Sequence, residues 1–196
     1  MAISSLVRIF IIRIASLFYV SRRSKVIFYH DIHSDNKYTD MSTSIELFKR
    51  HIKIIRENGY EIVPEITQQE GQIEISFDDA FLGLYDNIEL IKELNIPIRL
   101  FVVSSYLDKE NHINSEQLIE LNKLQQITIS SHTHSHKILS KIDLSELEFE
   151  LKDSKKRLER ILDSEVDSIC FPEGKFNLST VSLSKSAGYI RYYSSL

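Results

Sequence analysis

The chain has one cysteine among 196 residues and no uninterrupted apolar segment long enough to cross a bilayer. A single thiol, Cys170, excludes an intramolecular disulfide and a cysteine-based zinc site, and it gives no evidence about redox compartment; packing within a strand is its expected role. The formal net charge is -4 with Lys and Arg scattered, so there is no basic surface for nucleic acid. Residues 1–20, MAISSLVRIFIIRIASLFYV, are apolar but carry Arg8 and Arg13. Each arginine inside a spanning helix would cost roughly 2.5–3.5 kcal/mol at the bilayer centre, which argues against a span. A secretory signal fits poorly too: no basic residue precedes the apolar run, no cleavage site of small residues is clear, and Arg22, Arg23 and Lys25 follow it. Two readings stay open for residues 1–24: a basic helix lying on a membrane surface, or an ordinary helix packed on the domain. Membrane-associated or cytoplasmic placement is therefore expected ahead of secretion, and the sequence says nothing of oligomeric state.

What is present suits one globular domain with a sizeable core, 42% hydrophobic and 27% charged. From Lys25 onward strand and helix signals alternate without a repeat, low-complexity run or linker. Val26 to Tyr29 reads as a strand. Thr43 to Asn58 reads as a helix with Ile45, Phe48, Ile52 and Ile55 inward, a Thr43/Glu46 capping box and Gly59 as its stop. Further helices are expected at Leu84–Leu94, Ser115–Leu124, Leu144–Leu162 and Val181–Ala187, and strands at Ile73–Phe77, Arg99–Val103, Ile127–Ser131, Val166–Phe171 and near Tyr189. The longest helix has Leu147, Leu151, Leu158 and Ile161 inward and starts on Asp143 and Glu146. Such alternation predicts an α/β fold with a parallel sheet wrapped by helices, closed or nearly so.

Two polar clusters stand at strand ends. In IEISFDDAF, Ile73 to Phe81, the alternation places Ile73, Ile75 and Phe77 on one face and Glu74 and Ser76 on the other, and it stops on Asp78 and Asp79. Carboxylates where a strand yields to a loop occupy the position at which α/β folds carry their chemistry, although solvated turn residues look the same. SSHTHSH, Ser130 to His136, follows the next-but-one strand and holds three of the seven histidines. A helical turn would align His132 with His136, and extension would add His134; the sequence does not choose. One carboxylate with two imidazoles is a ligand set for a zinc-type ion that keeps positions open for water, and the same set can hold Fe(II) for oxygen chemistry. His30, Asp31 and His33 form a third polar knot after the first strand, for which a loop role is expected.

These stretches together resemble the polysaccharide deacetylases, carbohydrate esterase family 4, with its NodB homology domain. SFDDA (Ser76 to Ala80) is similar to the first family motif, HTHSH to the second, and FPEGKF (Phe171 to Phe176) to a degraded third; VIFYHDI (Val26 to Ile32) resembles the opening strand of the branch that acts on poly-N-acetylglucosamine. The resemblance runs from Val26 to the end, making residues 25–196 the deacetylase domain. It implies a distorted (β/α)7 barrel, incomplete at its C-terminus, with the motifs at the C-terminal ends of the strands. It also implies a divalent metal, most plausibly zinc, on Asp79, His132 and His136, with Asp78 as general base, and Phe171, Pro172, Gly174 and His134 against the substrate. The implied reaction is hydrolysis of N-acetyl groups on an amino-sugar polysaccharide. Three departures stand out. Ala80 replaces glycine, which calls for an unstrained backbone there; Glu173 replaces an aromatic residue; and no histidine follows His136 to serve as the family's general acid. The rival expectation is therefore a truncated or degenerate member that binds carbohydrate with little catalysis, or one in which His134, His30 or another group takes the acid's role.

Overall fold

A computed structural model describes residues 21–195. The expected membrane-surface helix falls on residues 1–20 and so lies outside the described residues. The strands are β1 (Lys25–Tyr29), β2 (Asp31–His33), β3 (Ser42–Ser44), β4 (Glu61–Ile62), β5 (Gln72–Phe77), β6 (Ile98–Val102), β7 (Ile127–Ser131), β8 (Ser168–Cys170) and β9 (Arg191–Tyr193). The α-helices are α1 (Ile45–Glu57), α2 (Leu82–Asp86), α3 (Ile88–Leu94), α4 (Ser115–Asn122), α5 (Leu144–Leu162) and α6 (Leu178–Ser186). Seven strands make one parallel sheet in the order β1-β5-β6-β7-β8-β9, with β4 paired to the start of β5; β2 and β3 pair separately. Among the described residues no pairing joins β9 to β1, so the expected barrel is a curled half-barrel open between those two strands.

The curl explains why both faces of β5 are buried. Ile73, Ile75 and Phe77 sit in the main apolar core, while Glu74 and Ser76 are only 2% and 1% exposed. Arg99 on β6 donates from Nε to Glu74 (2.5 Å) and from Nη1 to Ser130 on β7 (3.1 Å) and Ser168 on β8 (3.2 Å), and it stacks under the Tyr193 ring of β9 at 5.1 Å. Side chains from five successive strands can meet at one guanidinium only if the sheet is rolled around them. The lumen is thus a polar network, and the apolar core lies between the sheet and its helices.

Local capping sets the helix ends. Ser44 caps α1 by accepting from Leu47 N (3.3 Å), so the expected Thr43 cap is displaced: the β2–β3 pairing draws Thr43 into a strand. The helix expected from Leu84 to Leu94 starts at Leu82 and breaks at Asn87, whose Nδ2 donates to Gly83 O (2.8 Å) and Ile32 O (3.3 Å) in competition with the helical ladder. α2 presses on β2 so closely that a Cβ on Gly83 would lie 2.0 Å from Asp31 Oδ1. α5 follows the sequence pattern, capped by Asp143 on Glu146 N (2.9 Å). α6 begins earlier than expected because Asn177 accepts from Thr180 N (2.9 Å) and starts the helix at Leu178.

Candidate metal centre

The site forms where β5 and β7 end. Asp78 N donates to Tyr29 O (2.8 Å), prolonging the β1 pairing by one residue, and the chain then turns through two left-handed residues, Asp79 (φ 69°) and Ala80 (φ 59°). The expectation of an unstrained backbone at Ala80 is corrected: an L-residue there costs about 1–2 kcal/mol, sustained by burial of the methyl and by the bond from Ile113 N to Ala80 O (3.1 Å). This turn lets adjacent carboxylates reach one region.

The histidine segment is neither helix nor strand. Thr133 (φ 69°) and His136 (φ 61°) are also left-handed, and the resulting kinked loop sets the His132 and His136 rings 4.9 Å apart, edge to face. Glu150 of α5, 1% exposed, holds that loop by accepting from His134 N (3.0 Å), Ser135 N (2.8 Å) and Ser135 Oγ. The sequence reading missed Glu150, although its place on the inward stripe between Leu147 and Leu151 was a signal.

Asp79 Oδ1 lies 3.5 Å from His136 Nε2 and 3.9 Å from His132 Nε2. His132 Nδ1 donates to Cys170 O (2.8 Å); a carbonyl only accepts, so the proton is on Nδ1 and Nε2 keeps its lone pair. The set fits a zinc-type ion: ligand atoms about 2.0–2.2 Å from a tetrahedral centre are roughly 3.4 Å apart. Asp79 Oδ1 is also a buried acceptor without a hydrogen-bond partner, which a cation would satisfy. Burial pushes the His132 imidazole down to about 4 against the pull of Asp79, which keeps it in the neutral, ligating form. Burial, helped by the charge of Asp79, pushes Asp78 up to about 7, and its Oδ1 is unpartnered. Burial together with Asp78 and Asp79 raises the Cys170 thiol as well.

The remaining expected residues divide. His30 is half-buried beside the centre: burial lowers its pKa, Asp79 opposes this, and His136 reinforces it. Asp31 and His33 hold local structure instead, accepting from Tyr38 N (3.3 Å) and bonding Ser42 Oγ (2.7 Å) respectively. His134 turns onto α5, with Nδ1 3.0 Å from Ser104 Oγ and 3.2 Å from Asp153 Oδ2 and its ring against Phe149. Phe171 is 2% exposed and packs on Phe176 and Tyr192, within the core rather than on a groove. Pro172 and Gly174 are buried in the following turn, whose exposed tip is Glu173 (φ 54°), paired with Lys175 at 2.6 Å. Cys170 packs in β8 as expected, and Asp78, His132 and Cys170 each bring one ligand-type atom within 4.8 Å of the others. A cavity of about 300 Å³ between β1 and β9, walled by Phe28, Phe101 and Tyr193, reaches Asp78 and Cys170.

The family model for polysaccharide deacetylases matches residues 65–192. YxkH of Bacillus subtilis (strain 168), assigned to the same family, is 26% identical over 175 residues, 84% of this chain. The match spans 61% of that relative's length. Among solved structures, a de-N-acetylase from Aggregatibacter actinomycetemcomitans has a TM-score of 0.76 at 20% identity, over 88% of this chain and 87% of that one. IcaB from Ammonifex degensii has a TM-score of 0.76 at 15% identity, over 89% and 84%. At such identity these two show a shared fold. With the family model matching well over half of the chain, from the strand that carries Asp78 and Asp79 to β9, the chain belongs to the polysaccharide deacetylase family.

Proposed function

We propose that this chain is a metal-dependent hydrolase that removes N-acetyl groups from an amino-sugar polysaccharide. The observation that carries the reading is the convergence of Asp79, His132 and His136, each with a ligating atom available, beside Asp78, a buried carboxylate with an unpartnered oxygen. A divalent cation on those three groups, zinc by ligand type, would supply Lewis-acid polarisation of the acetyl carbonyl and of a water. Asp78, buried beside the ligand Asp79 with Oδ1 unpartnered, is placed to take a proton from that water. The water oxygen joins the acetyl carbon, the C–N bond breaks, and a proton must reach the departing nitrogen to give acetate and a free amine. His30 is the group assigned to that proton, because it follows β1 directly and so stands next to Asp78 at the end of the paired β5, whereas His134 is held by Ser104 and Asp153. The product polymer gains positive charge, which changes its adhesion to anionic surfaces.

A second reading, carbohydrate binding with little turnover, is favoured by one observation: His134, the histidine between the two candidate ligands, is held by Ser104 and Asp153 and so is not free to protonate a departing amine. Acetate release from an N-acetylglucosamine oligomer, compared with release from an O-acetyl ester, separates the two. An ester's alkoxide leaves with less help from an acid. Amide turnover that falls on His30→Ala more than ester turnover supports hydrolysis with His30 as acid; ester turnover without amide turnover supports the second reading.

A further inference from the structure

Asp78 and Cys170 both line the cavity between β1 and β9, and neither belongs to the Asp79–His132–His136 set. Asp78 is 9% exposed with Oδ1 unpartnered, and one atom each of Asp78, His132 and Cys170 lie within 4.8 Å of one another. We propose that Asp78, His132 and Cys170 form a second cation position that selects thiophilic ions and competes with the first for the same imidazole.

Three physical points support this. A carboxylate, an imidazole and a thiolate are a ligand set in which sulfur biases selection towards soft cations such as cadmium, whereas the oxygen and nitrogen donors of the first position do not. The cavity, about 300 Å³, is lined by both Asp78 and Cys170 and by neither Asp79 nor His136. Because His132 Nδ1 is committed to Cys170 O, Nε2 is the one ring atom left for a cation. Two ions cannot share its single lone pair, so occupation of one position empties the other. In the binding step the S–H bond breaks, a sulfur–metal bond forms, and the proton passes to solvent. Occupation would also engage Asp78 and so stop catalysis. The competition rests on the proposed metal centre; the thiophilic position does not.

The test titrates the metal-stripped full chain with cadmium while following thiolate-to-cadmium charge-transfer absorption in the ultraviolet. Cys170 is the only cysteine, so any such band reports on it. The band is expected in the wild type and in His136→Ala, which lacks the first position, and it is expected to vanish in Cys170→Ser while that variant still binds zinc one to one. Cadmium added to zinc-loaded wild type is expected to release one zinc per cadmium bound through sulfur. Absence of the band in a protein that binds zinc overturns this proposal alone. Cadmium bound through sulfur with no zinc released overturns the competition, and loss of zinc binding in Cys170→Ser would place the thiol in the first position and overturn the separation. A band in a protein that fails to bind zinc at all would keep the thiophilic position and remove the metal centre of the preceding section.

Discussion

The Nδ1 atom of His132 donates to the carbonyl oxygen of Cys170 at 2.8 Å, tying the end of β7 to the end of β8. That bond fixes the tautomer and aims Nε2 at Asp79. The candidate metal centre is therefore oriented by the sheet itself, while its other histidine depends on a loop.

Glu150 governs that loop. Its carboxylate takes three hydrogen bonds from His134 and Ser135 and is nearly fully buried, so Glu150→Ala frees the segment that carries His136. Zinc affinity is expected to fall about 10- to 100-fold, the usual loss when a group that orients a ligand is removed. Competition with a chelating dye measures it. An unchanged affinity would show that the kinked loop holds itself.

Asp78 gives the metal-free protein a signed pH dependence. Its folded pKa of about 7 lies above the ordinary 3.8, so the native state keeps a proton that the unfolded state has lost. This contribution is fully present below about pH 4 and is lost as pH rises through 7. Asp78→Asn lacks it, so the variant's stability relative to wild type should rise between pH 4 and 7, by at most about 4 kcal/mol at 1.36 kcal/mol per pH unit. His132, lowered to about 4, acts in the opposite direction below pH 6.5, but it does so in both proteins and largely cancels in the difference. Urea unfolding in chelator at pH 5 and pH 8 decides the matter; a difference that does not change with pH contradicts the assignment.

Arg99 and Glu74 are 4% and 2% exposed. Arg99→Met leaves the Glu74 charge buried without its partner and should cost about 3–5 kcal/mol. The double substitution Arg99→Met, Glu74→Gln should cost clearly less than the sum of the two single ones in urea unfolding. Additive losses would mean that the lumen pair is not coupled.

Sequence signals read well wherever they are local. The alternation of β5 and the Asp143 cap of α5 follow from neighbours a few residues away, and both fell where expected. What escaped depends on contacts distant in the chain. The polar face of β5 is buried because Arg99, Ser130, Ser168 and Tyr193 roll around it, a closure that periodicity cannot show. Thr133, β-branched, is a poor left-handed residue by type, so the kinked loop that joins the two histidines has no local signature; Glu150, on a separate helix, holds it. Phe171 looked like a groove residue by motif position, yet Phe176 and Tyr192 draw it inward. The grouping of Asp79, His132 and His136 was readable only through the motif resemblance.

The central claim is that Asp78 activates water beside a metal held by Asp79, His132 and His136. Acetate release from an N-acetylglucosamine oligomer, with zinc content measured on the same samples, tests it for wild type and Asp78→Asn. The account predicts one zinc per chain in both proteins and a rate lower by about 10²- to 10⁴-fold in the variant, the usual worth of a positioned general base. Equal rates in the two proteins, or no acetate from wild type carrying its full zinc, would contradict it.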